Sequence, residues 1–389
     1  MSKVTLFSQI IGKLDRSGFS KLSDKHSSNK HNKGFDSWSH LVSMLFCHFA
    51  KSGSVRDISN GLRSATGNLN HLGIACAPSK STVSYQNKNR GYQLFKDYYF
   101  HLLDHLGQQA GFKQVKFKIK SKILLLDATT ISLCLSLFDW AKYRRQKGAV
   151  KMHTLLDYDS CLPCYVNITD GKTADNKGAS DIPLSKGSVI VADRFYMDFS
   201  LLNVWDSTGV FFVVRHRHNL LFETVKELDL PDNRLEQVLK DELVVLTGVK
   251  TKERYPKKLR RVVIWDEKNK QTIELITNHF NWSPNTISEL YKSRWQIEIF
   301  FREIKQNLRI KSFVGTSKNA VMTQIWTALI TILVLKVLKA ISQYGWHLSN
   351  LVAFIRLNLF VKIDLDYWIN HPFTEPKPPD KTYIQGVLF

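Results

Sequence analysis

Two aspartates in this chain follow unbroken runs of apolar, strand-favouring residues. Asp127 comes directly after Ile123-Leu124-Leu125-Leu126, and Asp193 directly after Val189-Ile190-Val191-Ala192. Carboxylates at the ends of buried strands can stand together at one edge of a sheet, although aspartate also ends strands simply because it starts turns. A third acid, Glu298, sits in a charged row with Tyr291, Arg294, Arg302 and Lys305. On one continuous helix, at about 100° per residue, these five share an arc of roughly 80°. Ile297, Phe300, Phe301, Ile304 and Leu308 then form an adjoining inward face. A solvated face of intrahelical Glu–Arg pairs would give the same pattern. As a set, two strand aspartates and a helix glutamate supply hard oxygen ligands suited to Mg²⁺ or Mn²⁺. Two such ions, about 3.5–4 Å apart, clamp the attacking and leaving oxygens of an in-line phosphoryl transfer. The neighbouring arginines and lysine would hold phosphates, arginine by paired bonds.

Tyr291-x2-Arg294-x3-Glu298-x6-Lys305 resembles the Y-(2)-R-(3)-E-(6)-K signature of a large group of bacterial insertion-sequence transposases, the hairpin-forming DDE enzymes. Asp127-Ala128-Thr129-Thr130-Ile131 and Asp193-Arg194-Phe195-Tyr196-Met197-Asp198 are similar to that family's D-[ST]-T-x-I and D-R-G-Y-x-D segments, with Ala128 and Phe195 in place of the commoner Ser and Gly. Phe7-Ser8-Gln9-Ile10, the Trp38 helix, Lys151-x-His153 and Asp170-Gly171-Lys172 look like one subgroup with a helical N-terminal domain. The resemblance implies a ribonuclease H-like core and a metal site of Asp127, Asp193 and Glu298. It implies DNA-end phosphates on Tyr291, Arg294 and Lys305, to which the shared face adds Arg302. It further implies cut-and-paste transposition through a DNA hairpin, on terminal inverted repeats and then target DNA, by a homodimer in a synaptic complex.

The elements that must position these residues are legible in outline. Residues 1–114 read as a helical, DNA-end-binding domain with 15 Lys/Arg against 6 Asp/Glu. Helices are expected over Asp36–Ala50 and Ser54–Arg63, and another from Pro78 onward, where hydroxyl residues cap a start. Residues 115–216 read as the first part of an α/β core with a mixed sheet. Lys116, Lys118, Lys120 and Lys122 alternate with Phe117 and Ile119 as on a strand with one wet face. Strands are expected at Ile131–Leu137, Met152–Tyr158, Cys164–Thr169 and Val210–Val214, and a helix at Asp198–Trp205. Residues 217–283 read as a β-rich insertion with runs at Leu243–Leu246, Arg261–Trp265 and Ile273–Thr277. Residues 284–345 return to the core through two long helices, Thr286–Lys311 and about Asn319–Ser342. Residues 346–389 form a C-terminal segment with an extended, Pro-containing tail.

The 389 residues carry 55 Lys and Arg against 34 acids, a net charge of +21 and a pI near 9.7. A polyanion is the natural partner, because neutralising phosphates releases counterions. No basic amphipathic helix with a separate apolar face points to a membrane surface. No leader-like apolar run follows Met1, and the apolar run Ala328–Leu338 is short and broken by Lys336, which fits a buried helix. Five cysteines, an odd number, fit a reducing cytoplasm. Cys161-x-x-Cys164 has no second pair at zinc spacing and reads as ordinary strand and turn cysteines. His153 could touch DNA or tune a ligand, although a lone histidine near a strand start is more often a satisfied structural residue. Asp157, Asp170 and Asp175 are spare carboxylates without so clean an apolar lead-in as Asp127. The alternatives are a nuclease using the same triad without strand transfer and a DNA-binding protein that has lost catalysis. A Tyr or Ser recombinase is disfavoured, since no single Tyr stands among the Arg and His residues it needs.

Overall fold

The computed structural model describes residues 3–374 apart from 33, 66, 111–118, 120, 135–137, 145–146, 180–181 and 217–219. Most of the alternating lysine segment and the prolines at 376, 378 and 379 lie outside the described residues. The chain begins with six helices: α1 (Leu6–Gly12), α2 (Arg16–Lys25), α3 (Ser37–Phe49), α4 (Val55–Ser64), α5 (Lys80–Asn89) and α6 (Gln93–Ala110). Their starts are written locally. Thr5, Asp15, Asp36, Ser54 and Ser79 each accept a hydrogen bond on the side chain from the amide three residues on, satisfying one of the orphan donors of α1 to α5.

The strands follow: β1 (Ile123–Leu133), β2 (Lys142–Arg144), β3 (Lys147–Asp157) and β4 (Leu162–Asp170). Beyond the short α7 (Asp175–Gly178) come β5 (Val189–Ala192), α8 (Phe199–Ser207), β6 (Phe211–Arg215), β7 (Phe222–Glu227), β8 (Val238–Leu246), α9 (Val249–Arg254), β9 (Leu259–Asp266) and β10 (Gln271–Thr277). These described strands form one mixed sheet of ten. In it β4 lies beside β3, β3 beside β1, β1 beside β5 and β5 beside β6. The pairings are antiparallel from β4 to β1 and parallel from β1 through β5 to β6. That order and sense are those of a ribonuclease H-like α/β core. Beyond β6 the sheet continues through β10, β9, β8 and β7, all antiparallel, so the strands of the charged segment extend the core sheet. Leu124, Leu126, Ile190, Ala192, Phe212 and Val214 pack with Leu202 and Trp205 of α8. Burying such side chains contributes about 1.5–3 kcal/mol each.

The chain ends with α10 (Pro284–Ser293), α11 (Trp295–Asn307), α12 (Lys318–Ile341), α13 (Leu348–Leu357) and α14 (Leu365–Asn370). Two compact units result, one of Met1–Gly111 with Glu303–Phe389 and one of Phe112–Arg302. In the first unit α12 is long and apolar enough to cross a membrane, yet 94% of its apolar window is buried, packed against α3, α5 and α6.

Two expectations are corrected. Asp127 does not end a strand: β1 runs on to Leu133, because β3 stays paired with it from Leu124 to Leu133. The expected strand at Ile131–Leu137 is, over its described part, the far half of β1. The single helix expected over Thr286–Lys311 is broken at Arg294. The Ser293 hydroxyl bonds the Leu290 carbonyl at 2.6 Å, and the Arg294 and Ile297 amides bond carbonyls only three residues back. That tighter ladder separates α10 from α11, although Arg294 itself keeps a helical backbone.

Candidate active site

The parallel pairing of β1 with β5 runs from Ile123 opposite Val189 to Leu126 opposite Ala192, and there β5 stops. Asp127 and Asp193 are therefore the next residues of two neighbouring strands, at the point where those strands part. Each carboxylate is pinned by its own backbone. Asp127 Oδ1 accepts from the Ala128 amide at 2.7 Å, and Asp193 Oδ1 from the Phe195 amide at 2.8 Å. Phe195 does not have a left-handed backbone, so no glycine is needed there; its exposed ring lies beneath the Arg194 guanidinium.

Glu298 lies in the first turn of α11, and Arg294 at the break connects it to the strands. Arg294 Nη2 is 2.7 Å from Glu298 Oε1, and Nη1 is 3.7 Å from Asp127 Oδ2. Its Nε is buried with no partner among the described residues. Burial pushes the Asp127 carboxyl up to about 7, more than its own amide bond and Arg294 pull it down. Burial likewise raises Asp193. These carboxylates are short of positive charge, and they are the hard oxygen donors that a divalent cation favours. Among the described residues no three His, Cys, Asp or Glu side chains stand close enough to hold one ion. Glu298 is drawn onto the Arg294 guanidinium instead. In donor type the three carboxylates suit a hard divalent cation.

The remaining expected residues are distributed unevenly. Tyr291 is on α10, buried, with the Arg294 guanidinium 5.6 Å from its ring centre. Arg302 is exposed on α11. Lys305 falls in the other compact unit, half-buried, and burial lowers its pKa. His153 is fully buried, bonded through Nε2 to the Thr169 hydroxyl at 2.9 Å and covered by Gly178, where a Cβ would stand 2.3 Å from Nδ1. Its Nδ1 is buried without a partner among the described residues. Cys161 and Cys164 are free thiols whose sulfurs bond Gln296 and Leu155 respectively.

Sequence reasoning missed two features. Tyr196 is buried with its hydroxyl unpartnered among the described residues, and burial, with Asp127, Asp175 and Asp193 nearby, raises its pKa. The D-R-F-Y-M-D segment was its only signal. A cleft of about 450 Å³ is lined by Arg215, Lys292, Arg294, the acids Asp266 and Glu267, and the exposed Trp265 and Trp295. Cations beside open aromatic faces suit phosphate and unstacked bases.

Comparison with known proteins gives the family of the chain. A family profile described as Transposase DDE domain matches residues 118–334, and one described as Domain of unknown function (DUF4372) matches residues 2–75. A transposase assigned to insertion sequence element IS5377 of Geobacillus stearothermophilus is 27% identical over 288 residues, 74% of each chain. The transposase y4zB of Sinorhizobium fredii is 29% identical over 255 residues, 65% of this chain and 71% of its own. Among solved structures, a piggyBac transposase synaptic complex with hairpin DNA covers 91% of this chain and 78% of its own, at 9% identity and a TM-score of 0.42.

Proposed function

Because the chain belongs to the Transposase DDE domain family, and is an insertion-sequence transposase that cleaves DNA and transfers its strands, we propose that it moves its element by cut-and-paste through a DNA hairpin. The observation that carries the reading is the juxtaposition of Asp127 and Asp193 where β1 and β5 part, with Arg294 joining Asp127 to Glu298.

In this reading Asp127, Asp193 and Glu298 hold two Mg²⁺ or Mn²⁺ ions. When bound, such ions lower the pKa of water and polarise the scissile phosphate. Asp127 and Asp193 are fixed by strand backbone, so they supply rigid ligands. Glu298 completes the set by releasing Arg294. The freed guanidinium, with its unpaired Nε, then takes a DNA phosphate together with Arg302, Lys305 and Tyr291. Water cuts one strand at the terminal inverted repeat and frees a 3′-hydroxyl. That hydroxyl attacks the opposite strand, displacing the flanking DNA and closing a hairpin. Water reopens the hairpin, and the same 3′-hydroxyl attacks target DNA. The cleft beside Arg294 gives room for a base unstacked at the hairpin tip. Two copies of the chain, one on each end, form the synaptic complex, in the cytoplasm where chromosomal DNA is in reach.

The test is cleavage of labelled end duplexes. Asp127→Ala, Asp193→Ala and Glu298→Ala should each abolish nicking while band-shift binding persists. The double variants should be little worse than the singles, because the residues act as one unit. Full cleavage by one variant in Mg²⁺ removes that residue from the site, and a wild-type protein that nicks but never forms hairpins rules out the hairpin route.

A further inference from the structure

We propose that the exposed face of α5 reads base edges in the major groove of duplex DNA, and that it is the sequence-specific contact with the element's ends. The inference rests on the transposition reading above and names the surface that chooses the DNA. From Ile58 to Lys96 the sequence has no Asp or Glu, while Arg63, Lys80, Lys88, Arg90 and Lys96 supply positive charge. Helix α5 lies in this stretch and has no apolar stripe; only Val83 and Asn87 are buried. Such a helix gains little from packing, so something else must justify its polar face.

It is nonetheless held firmly by buried polar bonds. His40 Nε2 bonds Asn87 Oδ1 at 2.7 Å. The Asn319 side-chain amide donates to the carbonyls of Asn87 and Arg90, at 2.9 and 2.7 Å. The Arg90 guanidinium donates to the carbonyls of Ser28, Phe35 and Asp36 and so fixes the loop opposite. Between loop and helix lies a polar cleft of about 980 Å³, with Lys30 and His31 on one side and Thr82, Tyr85, Gln86 and Asn89 on the other. Among the described residues no acid lines it, and the Tyr85 ring stands 64% exposed.

Thr82, Tyr85, Gln86 and Asn89 follow one another at the spacing of one helix face. A helix is about as wide as the major groove, roughly 12 Å. There Asn and Gln pair with the N6 and N7 edge of adenine, Thr contacts the thymine methyl, and flanking lysines take phosphates. The surface is thus suited in charge, width and donor–acceptor chemistry to duplex DNA.

The full chain is incubated, without divalent metal, with a pool of random-sequence duplexes, and the bound fraction is sequenced. Wild type should enrich one motif. The double variant Gln86→Ala, Asn89→Ala should lose about tenfold or more of the preference for that motif over a scrambled duplex. Its affinity for the scrambled duplex and its melting temperature should stay unchanged. Gln86→Lys should shift the enriched base from adenine toward guanine, a change that a purely structural role would not produce. Lys30→Ala should weaken both duplexes alike. No enriched motif in wild type, or an undiminished preference in both Gln86 variants, overturns the proposal. Cutting by Asp127→Asn would instead count against the active-site reading and leave the α5 result standing.

Discussion

Arg294 supplies the charge balance of the acidic centre, since its guanidinium reaches both Asp127 and Glu298. The same group has a buried Nε without a partner among the described residues. That arrangement leaves one buried donor unsatisfied, and it comes within reach of a phosphate only when the side chain moves out. Arg294→Ala is expected to lower hairpin yield on a pre-nicked end by on the order of tenfold, the worth of a lost charge-assisted bond. First-strand nicking should change less, because bending DNA into a hairpin needs extra anchors. Arg294→Lys should restore only part, since a point charge cannot replace a planar fork. Wild-type hairpin yield from Arg294→Ala would reduce the residue to an intrahelical partner of Glu298. Apolar runs and a fixed spacing singled out the three acids as candidates in the sequence. The Arg294 bridge was not legible there, because spacing along a chain cannot say which of two nearby carboxylates a guanidinium meets.

Strands and helices set what local patterns can reveal. The capped starts of α3, α4 and α5 were readable because a cap acts over three residues. The extent of β1 was not, because its second half is held by β3 rather than by its own apolar run. The break at Arg294 was hidden for a similar reason: the residues around it keep a helical period, and only the Ser293 hydroxyl and the amide bonds three residues back mark it. The strands after β6 are joined by a buried pair. Arg260 forks onto both oxygens of Asp241 at 2.8 and 2.6 Å and also donates to the carbonyls of Phe280 and Trp282. Arg260→Ala should cost about 3–5 kcal/mol, because it strands a buried carboxylate. The double variant Arg260→Met, Asp241→Leu should recover most of that loss, because it removes both charges and refills their space. Urea titration of the single and double variants separates these outcomes, and equal stability for both would show that the pair is no constraint.

Burial lowers four histidines among the described residues, and His40 and His48 fall furthest, below His153 and His279. Burial lowers both His40 and His48 from about 6.5 to about 3, and each has an Nδ1 without a partner among the described residues. Their folded pKa lies below the unfolded one, so the unfolded chain binds more protons between those values. Their contribution is complete above pH ~6.5 and is lost as pH falls toward ~3, with a slope of up to about 1.4 kcal/mol per pH unit for each histidine. Melting temperature should therefore drop steadily below neutrality, and His48→Gln should flatten the drop; a wild-type melting temperature constant from pH 7 to 5 would exclude the effect.

Both chain ends build the first unit, and α12 supplies much of its centre: the His48 ring bonds Thr327, and Tyr99 and Phe100 meet Trp326. Roughly two hundred residues separate the end of α6 from α12. At about 5–20 residues per second a ribosome takes some 10–40 s to bridge that gap. Throughout that interval the faces of α3 and α6 that meet α12 stay uncovered, although α2, α4 and α5 already pack on these helices. A chain stalled before codon 318 is then expected to be degraded rather than to linger on DNA as a competitor of the finished enzyme. Ribosome-bound fragments ending at residue 302 should accordingly be cut by protease within α3 and α6, where the complete chain resists. Translation errors in such an element would silence the broken copies without poisoning the intact ones.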